Sequence, residues 1–233
     1  MAKLNKDILK KINQVDNSII IIDGITCAGK TTFSNLLKKI IKKKNKNVYL
    51  ISKDLFLLPR TKRINAIKKF KKKYSSNQNF VHYDQKKLQK LLFHIKSKKK
   101  TKLVIKGLYD RKKGKNTKTE EFQFKKNNII IFEGLYILDD LKKYFKINLK
   151  ILIVNNVYKS LMLKIERIRD KKISIGNVVK EFNLIHLLSF KKYLLKYNFD
   201  YSFILENKSF HMVKNGAEKQ TKQIAKFITK HSH

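Results

Sequence analysis

One short segment limits the folds open to this chain more than any other. Residues 24–32 have the pattern G-x-x-x-x-G-K-T. They follow a run of isoleucines and precede apolar residues spaced as on one face of a helix. Two glycines let the backbone turn tightly, and the start of the following helix presents N–H groups and a dipole that favour anions. This order predicts a phosphate-binding loop at the edge of an α/β sheet, and the alternative is a chance glycine turn.

Positions in this loop have expected roles in binding a nucleoside triphosphate. Lys30 would supply a point charge for the β- and γ-phosphates, and the Thr31 hydroxyl could ligate Mg²⁺. Cys27, the only cysteine, is expected to fill space within the loop. The predicted nucleotide-binding residues are therefore Gly24, Ile25, Thr26, Cys27, Ala28, Gly29, Lys30, Thr31 and Thr32.

Length and composition favour one globular domain over residues 1–233. The chain has 233 residues, of which 42% are apolar, which is enough for one core. No uncharged apolar stretch is long enough to span a bilayer, and the lysine-rich start lacks the apolar run of a signal peptide. A single cysteine excludes an internal disulfide. We therefore expect a cytoplasmic protein with no membrane partner, which could form a homo-oligomer.

The net charge of +39 invites a nucleic-acid-binding interpretation. However, 51 of the 56 basic residues are lysines spread over most of the predicted helices, which is typical of a solvated surface. A specific nucleic-acid interface would concentrate arginines and stacking aromatic residues on one face. We expect only non-specific adhesion to nucleic acid and a general preference for anionic ligands. The five arginines are Arg60, Arg63, Arg111, Arg167 and Arg169.

Apolar runs of β-branched residues alternate with helical patterns along the chain. This alternation predicts a central, mostly parallel five-stranded sheet with helices on both faces. The predicted strands are Ser18–Ile22, Val48–Ser52, Ile129–Phe132, Lys150–Val154 and Tyr201–Leu205, and a weaker pattern occurs at Lys102–Ile105. Helices are predicted from Lys30 to about Ile41 and around Leu88–Ile95, and loops at Ala66–Asn79 and Lys112–Lys126.

Two carboxylates follow predicted strands. Ligands of such sheets bind beyond the carboxyl ends of the strands, so Asp54 and Glu133 are candidate site residues. Asp54 could accept the proton of an attacking hydroxyl, or hold a metal directly or through water. Glu133 emerges from an apolar run where a Mg²⁺ ligand is expected. The alternatives are a loop-capping aspartate and an exposed glutamate at a strand end.

Several of these segments together resemble the uridine kinase and phosphoribulokinase family of P-loop kinases, over about residues 19–206. The resemblance is carried by I-D-G through Thr32, S-K-D-L-F at 52–56, N-F-V-H-Y at 79–83, Y-D at 109–110, F-E-G at 132–134 and R-I-R-D at 167–170. It implies a P-loop kinase fold with a small lid at about 164–180, ATP and Mg²⁺ as cofactors, and Asp54 as catalytic base.

The resemblance also implies roles on the acceptor side and in the lid. His82 and Tyr109 would contact the acceptor, Arg167 the nucleotide and the acceptor, and Arg169 the transferring phosphoryl group. Each has an alternative: His82 and Tyr109 could be packing residues, and the two arginines ordinary surface residues. Departures from the family pattern fall on this side, because Val81 replaces an aspartate that holds ribose and Gly114 a histidine that reads the base.

Three functions remain open on these grounds. The first is an ATP-dependent kinase for a hydroxyl of a small metabolite, with a nucleoside favoured. The others are a nucleic-acid-stimulated P-loop ATPase, suggested by the charge, and a catalytically silent nucleotide-binding protein, suggested by the departures at Val81, Gly114 and Ile175. Ile175 begins an I-G-N stretch at about the place where the lid of the family has R-G-R. The chain lacks the Asn-Lys-x-Asp stretch of GTPase switches.

Overall fold

The computed structural model describes residues 18–44, 46–63, 65, 82–97, 102–125, 128–167, 174–183, 187, 189–206 and 209–212. In chain order its elements are β1 (Ile19–Asp23), α1 (Lys30–Lys42), β2 (Asn47–Ser52), a 3-10 turn (Lys53–Phe56), α2 (Gln85–Lys96), β3 (Leu103–Asp110), β4 (Lys115–Phe122), β5 (Asn128–Glu133), α3 (Ile137–Leu141), β6 (Leu149–Val154), α4 (Val157–Glu166), α5 (Ile175–Glu181), α6 (Ser189–Lys196), β7 (Tyr201–Glu206) and β8 (Ser209–Met212).

The main sheet has the strand order β2-β5-β1-β6-β7-β8. The five strands β2, β5, β1, β6 and β7 are parallel and coincide with the five predicted ones, so the α/β fold with a mostly parallel sheet is confirmed. A sixth strand, β8, corrects the predicted number, since it pairs antiparallel with β7 at the edge. β8 has only four residues, and Phe210 within it packs against Phe33 of α1 at 5.0 Å between ring centroids.

The centre of the sheet is apolar on both faces. Every residue of β1 and β5 is buried, as expected for strands covered on both sides. α1 covers part of this sheet with Phe33, Leu37 and Ile41, which recur at helical spacing and are at most 1% exposed. The helix predicted from Lys30 and the one around Leu88–Ile95 are both confirmed, as α1 and α2.

The region between α2 and β5 differs from the sequence prediction. The run at Lys102–Ile105 begins β3, which pairs antiparallel with β4 in a separate two-stranded sheet rather than joining the main one. β4 lies inside Lys112–Lys126, which was predicted as a loop because it is polar. Backbone pairing with β3 makes this segment a strand, although few of its side chains are buried. Lys102, just before β3, also forms an ion pair with Glu121 of β4 at 2.6 Å.

Some predicted features lie outside the described residues. These are the whole of the predicted loop at 66–79 and the middle of the predicted lid, residues 168–173. The lid segment that is described consists of the end of α4 and the helix α5. Among the described helices, none is both long enough and apolar enough to cross a membrane.

A buried carboxylate ends β1. Asp23 is fully buried and accepts hydrogen bonds from the backbone N–H groups of Tyr136 and Ile137, at 3.1 and 3.0 Å, and from the Tyr193 hydroxyl. The Tyr193 oxygen in turn accepts from the Leu138 N–H at 3.1 Å. The carboxylate thereby ties β1 to the start of α3 and to α6.

Replacing Tyr193 by phenylalanine tests this link. Tyr193→Phe would leave the Leu138 N–H without its acceptor and would remove one of the two donors to an Asp23 oxygen, so we expect it to lower the free energy of unfolding by about 1–3 kcal/mol. Tyr197→Phe is the matched control, because its hydroxyl bonds Asp139 at a partly exposed position. Urea unfolding of both variants gives the measurement, and equal losses would contradict the role assigned to Tyr193.

Candidate active site

The register of the sheet brings the predicted site residues to one edge. Ile22 of β1 and Ser52 of β2 both lie beside Glu133 of β5. The three strands therefore end level with one another, and the chain leaves them into the loop at Gly24 and the 3-10 turn at Asp54. This edge is where ligands of parallel sheets bind.

The loop from Gly24 to Gly29 requires glycine at two positions, its first and its last residue. Gly24 has φ +151°, and a Cβ there would lie 2.2 Å from the carbonyl oxygen of Ile153. Gly29, which precedes α1, has φ +97°, and its Cβ would lie 2.7 Å from a methyl of Leu205. Cys27 also has positive φ, at 58°, which marks the top of the turn.

The other loop residues differ in how far their side chains are exposed. Ile25 and Ala28 are buried, while Thr26 and Cys27 are partly exposed. Thr31 and Thr32 are exposed on the first turn of α1. The Lys30 ammonium group donates to the carbonyls of Gly24 and Ile25, each at 2.8 Å, so it lies over the loop where a phosphate would be held.

Thr31 and Glu133 form an oxygen pair at the start of α1. The Thr31 hydroxyl lies 3.4 Å from both carboxylate oxygens of Glu133. Glu133 is 4% exposed, which excludes the alternative of an exposed glutamate. Burial raises its pKa, the nearby Lys30 lowers it, and the Asp54 carboxylate raises it further. Asp54 and Glu133 are therefore close enough to interact.

These oxygens suit Mg²⁺. Magnesium takes oxygen ligands and usually keeps several waters and substrate phosphates, so one hydroxyl and one carboxylate from the protein suffice. The described residues contain no group of three or more His, Cys, Asp or Glu side chains that could enclose a metal.

Asp54 lies in the 3-10 turn that follows β2. Its backbone N–H donates to the Ser52 hydroxyl at 3.3 Å, and its neighbour Lys53 is buried in an ion pair with Asp140 at 2.7 Å. The Asp54 carboxylate itself is partly exposed and pairs with Arg111 at 2.5 Å. Asp54 therefore lies at the open edge of the sheet, and the buried ion pair of its neighbour Lys53 holds the turn in place.

His82 is placed next to the 3-10 turn. Its carbonyl accepts from the Leu58 N–H at 2.9 Å, and its imidazole is largely buried. Burial lowers the pKa of His82 to about 4; the carboxylate of Glu181 opposes this, and the cations Arg63 and Lys164 add to it. The imidazole is neutral at pH 7.

Tyr109 is 6% exposed near the end of β3. Its hydroxyl accepts a hydrogen bond from the Arg63 guanidinium at 3.0 Å, and the same guanidinium lies 5.1 Å from the Tyr109 ring centroid. Tyr109 is therefore mostly buried, as the packing alternative requires, while its polar end contacts an arginine.

The lid residues are only partly described. Arg167 lies at the end of α4 with an exposed side chain, and none of the described carboxylates pairs with it. Arg169 and Val81 lie outside the described residues. Lys164 of α4 is mostly buried, pairs with Glu181 of α5 at 3.3 Å, and its charge acts on His82. Burial lowers the pKa of Lys164, and the charge of Glu181 and the hydrogen bond with its carboxylate raise it.

The sequence reasoning missed three charged residues near the site: Arg63, Arg111 and Lys164. Their contacts come from β3, α4 and the turn after Pro59, and no pattern in the sequence joins these segments. The scarcity of arginine, which favoured Arg167 and Arg169, is the one signal in the sequence that applies equally to Arg63 and Arg111. Lys164 could not be distinguished from the other lysines.

A glycine loop between a buried parallel strand and a helix, with an acidic residue at the end of the adjacent strand, defines a P-loop nucleotide-binding protein. The family model described as phosphoribulokinase / uridine kinase family matches residues 19–201. The chain belongs to this family, whose members are small-molecule kinases that use ATP and Mg²⁺. No curated protein matches the sequence.

Solved structures share the fold at low sequence identity. D-glycerate 3-kinase from Cryptococcus neoformans has a TM-score of 0.56 and 12% identity, over 88% of this chain and 96% of that one. A putative fructose transport system kinase from Silicibacter has a TM-score of 0.54 and 16% identity, over 78% and 87%. Phosphoribulokinase from Rhodobacter spheroides has a TM-score of 0.51 and 13% identity, over 82% and 73%.

The loop geometry predicts unequal effects of adding one methyl group. Gly24→Ala places a Cβ against the Ile153 backbone, which cannot move aside, so we expect ATP affinity to fall at least about ten-fold. Gly29→Ala is the matched comparison, because its Cβ meets the movable end of Leu205 and should cost less. Titration with a fluorescent ATP analogue measures both, and an equal or reversed order would contradict this account.

The buried imidazole predicts a pH effect on stability. The folded pKa of His82, about 4, lies below its ordinary value of 6.5, so the associated stability is present above pH 6.5 and is lost as the pH falls towards 4. The full loss amounts to about 3 kcal/mol. His82→Asn cannot titrate and should lose less stability over this interval. Urea unfolding at several pH values compares the two proteins, and parallel profiles would refute the assignment.

Proposed function

We propose that this protein transfers the γ-phosphoryl group of ATP to a hydroxyl of a small metabolite. The observation that carries the proposal is the meeting of three features at one sheet edge: the phosphate loop, the Thr31–Glu133 oxygen pair and the Asp54 carboxylate. Membership of a family of small-molecule kinases supports it.

The loop and the start of α1 would bind the triphosphate. Backbone N–H groups between Gly24 and Thr32 would hold phosphate oxygens, and Lys30 would exchange its two carbonyl contacts for the β- and γ-phosphates. Thr31 and Glu133 would hold Mg²⁺. When bound, this ion neutralises charge on the β- and γ-phosphates.

Asp54 would act as the catalytic base. Its partly exposed carboxylate would accept the proton of the acceptor hydroxyl as the oxygen attacks the γ-phosphorus and ADP leaves. Before this step the carboxylate must exchange Arg111 for the hydroxyl. Because Arg111 is exposed, its displacement into water costs little.

The lid would complete the site. Arg169, and Arg167 at the end of α4, are proposed to contact the phosphates with their forked donors. His82 and Tyr109 line the acceptor side, and Asp54 is proposed to contact both acceptor and metal. A nucleoside acceptor, a cytoplasmic location and a homo-oligomer stay predictions from the sequence.

Removing the proposed base should separate binding from transfer. Asp54→Asn keeps the shape but cannot accept the proton, so we expect ATP binding to stay within about two-fold while transfer falls at least about a hundred-fold. Asp200→Asn, at the opposite edge of the sheet, is the matched control for loss of one carboxylate.

The measurement is ADP release with a panel of small alcohols as acceptors, together with an ATP titration. Full transfer by Asp54→Asn would show that another group is the base. ATP hydrolysis that requires RNA or DNA, without transfer to any alcohol, would favour the nucleic-acid-stimulated ATPase. ATP binding with neither activity would favour the silent nucleotide-binding protein.

A further inference from the structure

Three of the five arginines lie on the acceptor side of Asp54. Arg111 pairs with Asp54, Arg63 bonds Tyr109, and Arg60 lies beside Gly114. Arg60 and Arg63 belong to a helical turn after Pro59, where the Arg63 N–H donates to the Pro59 carbonyl at 3.1 Å. Residues three apart on such a turn share a face, so the two guanidinium groups lie on the same side of it.

Arg63 is held in place by neutral groups. Its Nε donates to the Leu58 carbonyl at 2.9 Å, and one terminal nitrogen donates to the Tyr109 hydroxyl at 3.0 Å. These contacts use two of the five N–H donors and fix the plane of the guanidinium group. Both Arg60 and Arg63 are partly buried, and none of the described carboxylates forms an ion pair with either.

A partly buried guanidinium group without a counterion is costly, because burial removes water that an anion would replace. Residues 64–81, which follow this turn in the chain, contain no aspartate or glutamate. An anionic ligand would therefore meet two prepositioned cations. Two forked donors side by side suit the oxygens of a phosphate or a carboxylate.

Gly114 leaves space at this place. A Cβ on Gly114 would lie 3.9 Å from the central carbon of the Arg60 guanidinium and 4.0 Å from the Tyr109 hydroxyl. Gly114 is the position where the family resemblance places a base-reading histidine. In this chain the position borders an arginine and a hydroxyl that contacts another arginine, which is a poor environment for an uncharged base.

The cluster is close to the proposed base. Tyr109 contacts Arg63, and Arg111, two residues further along the chain, contacts Asp54. The arginine pair and the Asp54 carboxylate therefore both contact the same end of β3, where one small molecule would meet both.

We propose that the acceptor carries a phosphate or carboxylate group, which Arg60 and Arg63 bind while its hydroxyl faces Asp54. This inference rests on the proposed function. The hydroxyl oxygen forms the new bond to the γ-phosphorus, the bond from phosphorus to the bridging oxygen of ADP breaks, and the hydroxyl proton passes to Asp54. The acceptor's own anionic group takes no part in the exchange and fixes its position.

Matched pairs of compounds test the proposal by binding as well as by turnover. The full-length protein is first saturated with a non-hydrolysable ATP analogue, so that the phosphate loop is filled. Calorimetry then compares ribose with ribose 5-phosphate and glycerol with glycerate, which also separates a phosphate from a carboxylate preference. We expect one anionic member to bind at least about ten-fold more tightly than its neutral partner.

Variants of the turn identify the residues responsible. Arg60→Gln and Arg63→Gln should each remove most of this difference, whereas Lys62→Gln, an exposed neighbour with the same charge change, should keep it. Arg63→Gln also removes the hydrogen bonds to the Leu58 carbonyl and the Tyr109 hydroxyl, which hold the turn. Arg60→Gln leaves both of these hydrogen bonds in place.

Each outcome is decisive. Equal affinity for neutral and anionic members would overturn the proposal. Uridine is titrated in the same way, and tighter binding of uridine than of either anion would also overturn it. An equal loss in Lys62→Gln would reduce the effect to bulk charge and overturn it as well. Discrimination that is present and depends on Arg60, but without phosphate transfer to either anion, would support the anion site and count against the kinase function.

Discussion

The buried carboxylate of Asp23 is the interaction on which the site depends. It receives the N–H of Gly24 at 2.7 Å, two N–H groups at the start of α3 and the Tyr193 hydroxyl. All four partners are donors, so the phosphate loop, α3 and α6 are fixed at one point. Burial raises the pKa of Asp23 to about 6, although the hydrogen bonds from Tyr193 and Gly24 and the charges of Lys30 and Lys53 lower it.

A second buried charge fixes the acceptor half. Lys53 is 1% exposed, pairs with Asp140, donates to the Leu135 carbonyl at 2.9 Å and lies 4.2 Å from the Tyr83 ring centroid. Since Lys53 points into the protein, its neighbour Asp54 faces the open edge. Because the chain has a net charge of +39, the charge of a lysine or arginine does not by itself indicate a role. The roles of Lys53, Arg63 and Arg111 follow from the groups that they contact.

The two halves of the site differ in how far the sequence predicts them. The nucleotide half is encoded locally, because a strand, a glycine loop and a helix follow one another within about 25 residues, and each glycine is required by its own backbone geometry. The acceptor half combines the turn after Pro59, the end of β3 and the 3-10 turn. Its cations, Arg63 and Arg111, meet their partners 46 and 57 residues away in the chain.

Local patterns in the sequence suffice to predict the α/β class, the five parallel strands and the phosphate loop, because apolar runs and glycine positions follow from burial and backbone sterics within each segment. Packing between segments makes the polar β4 a strand, buries Glu133 and places Arg60 beside Gly114. None of the described carboxylates forms an ion pair with Arg60 or Arg63. These features depend on pairing and charge contacts between distant segments, which no local pattern records.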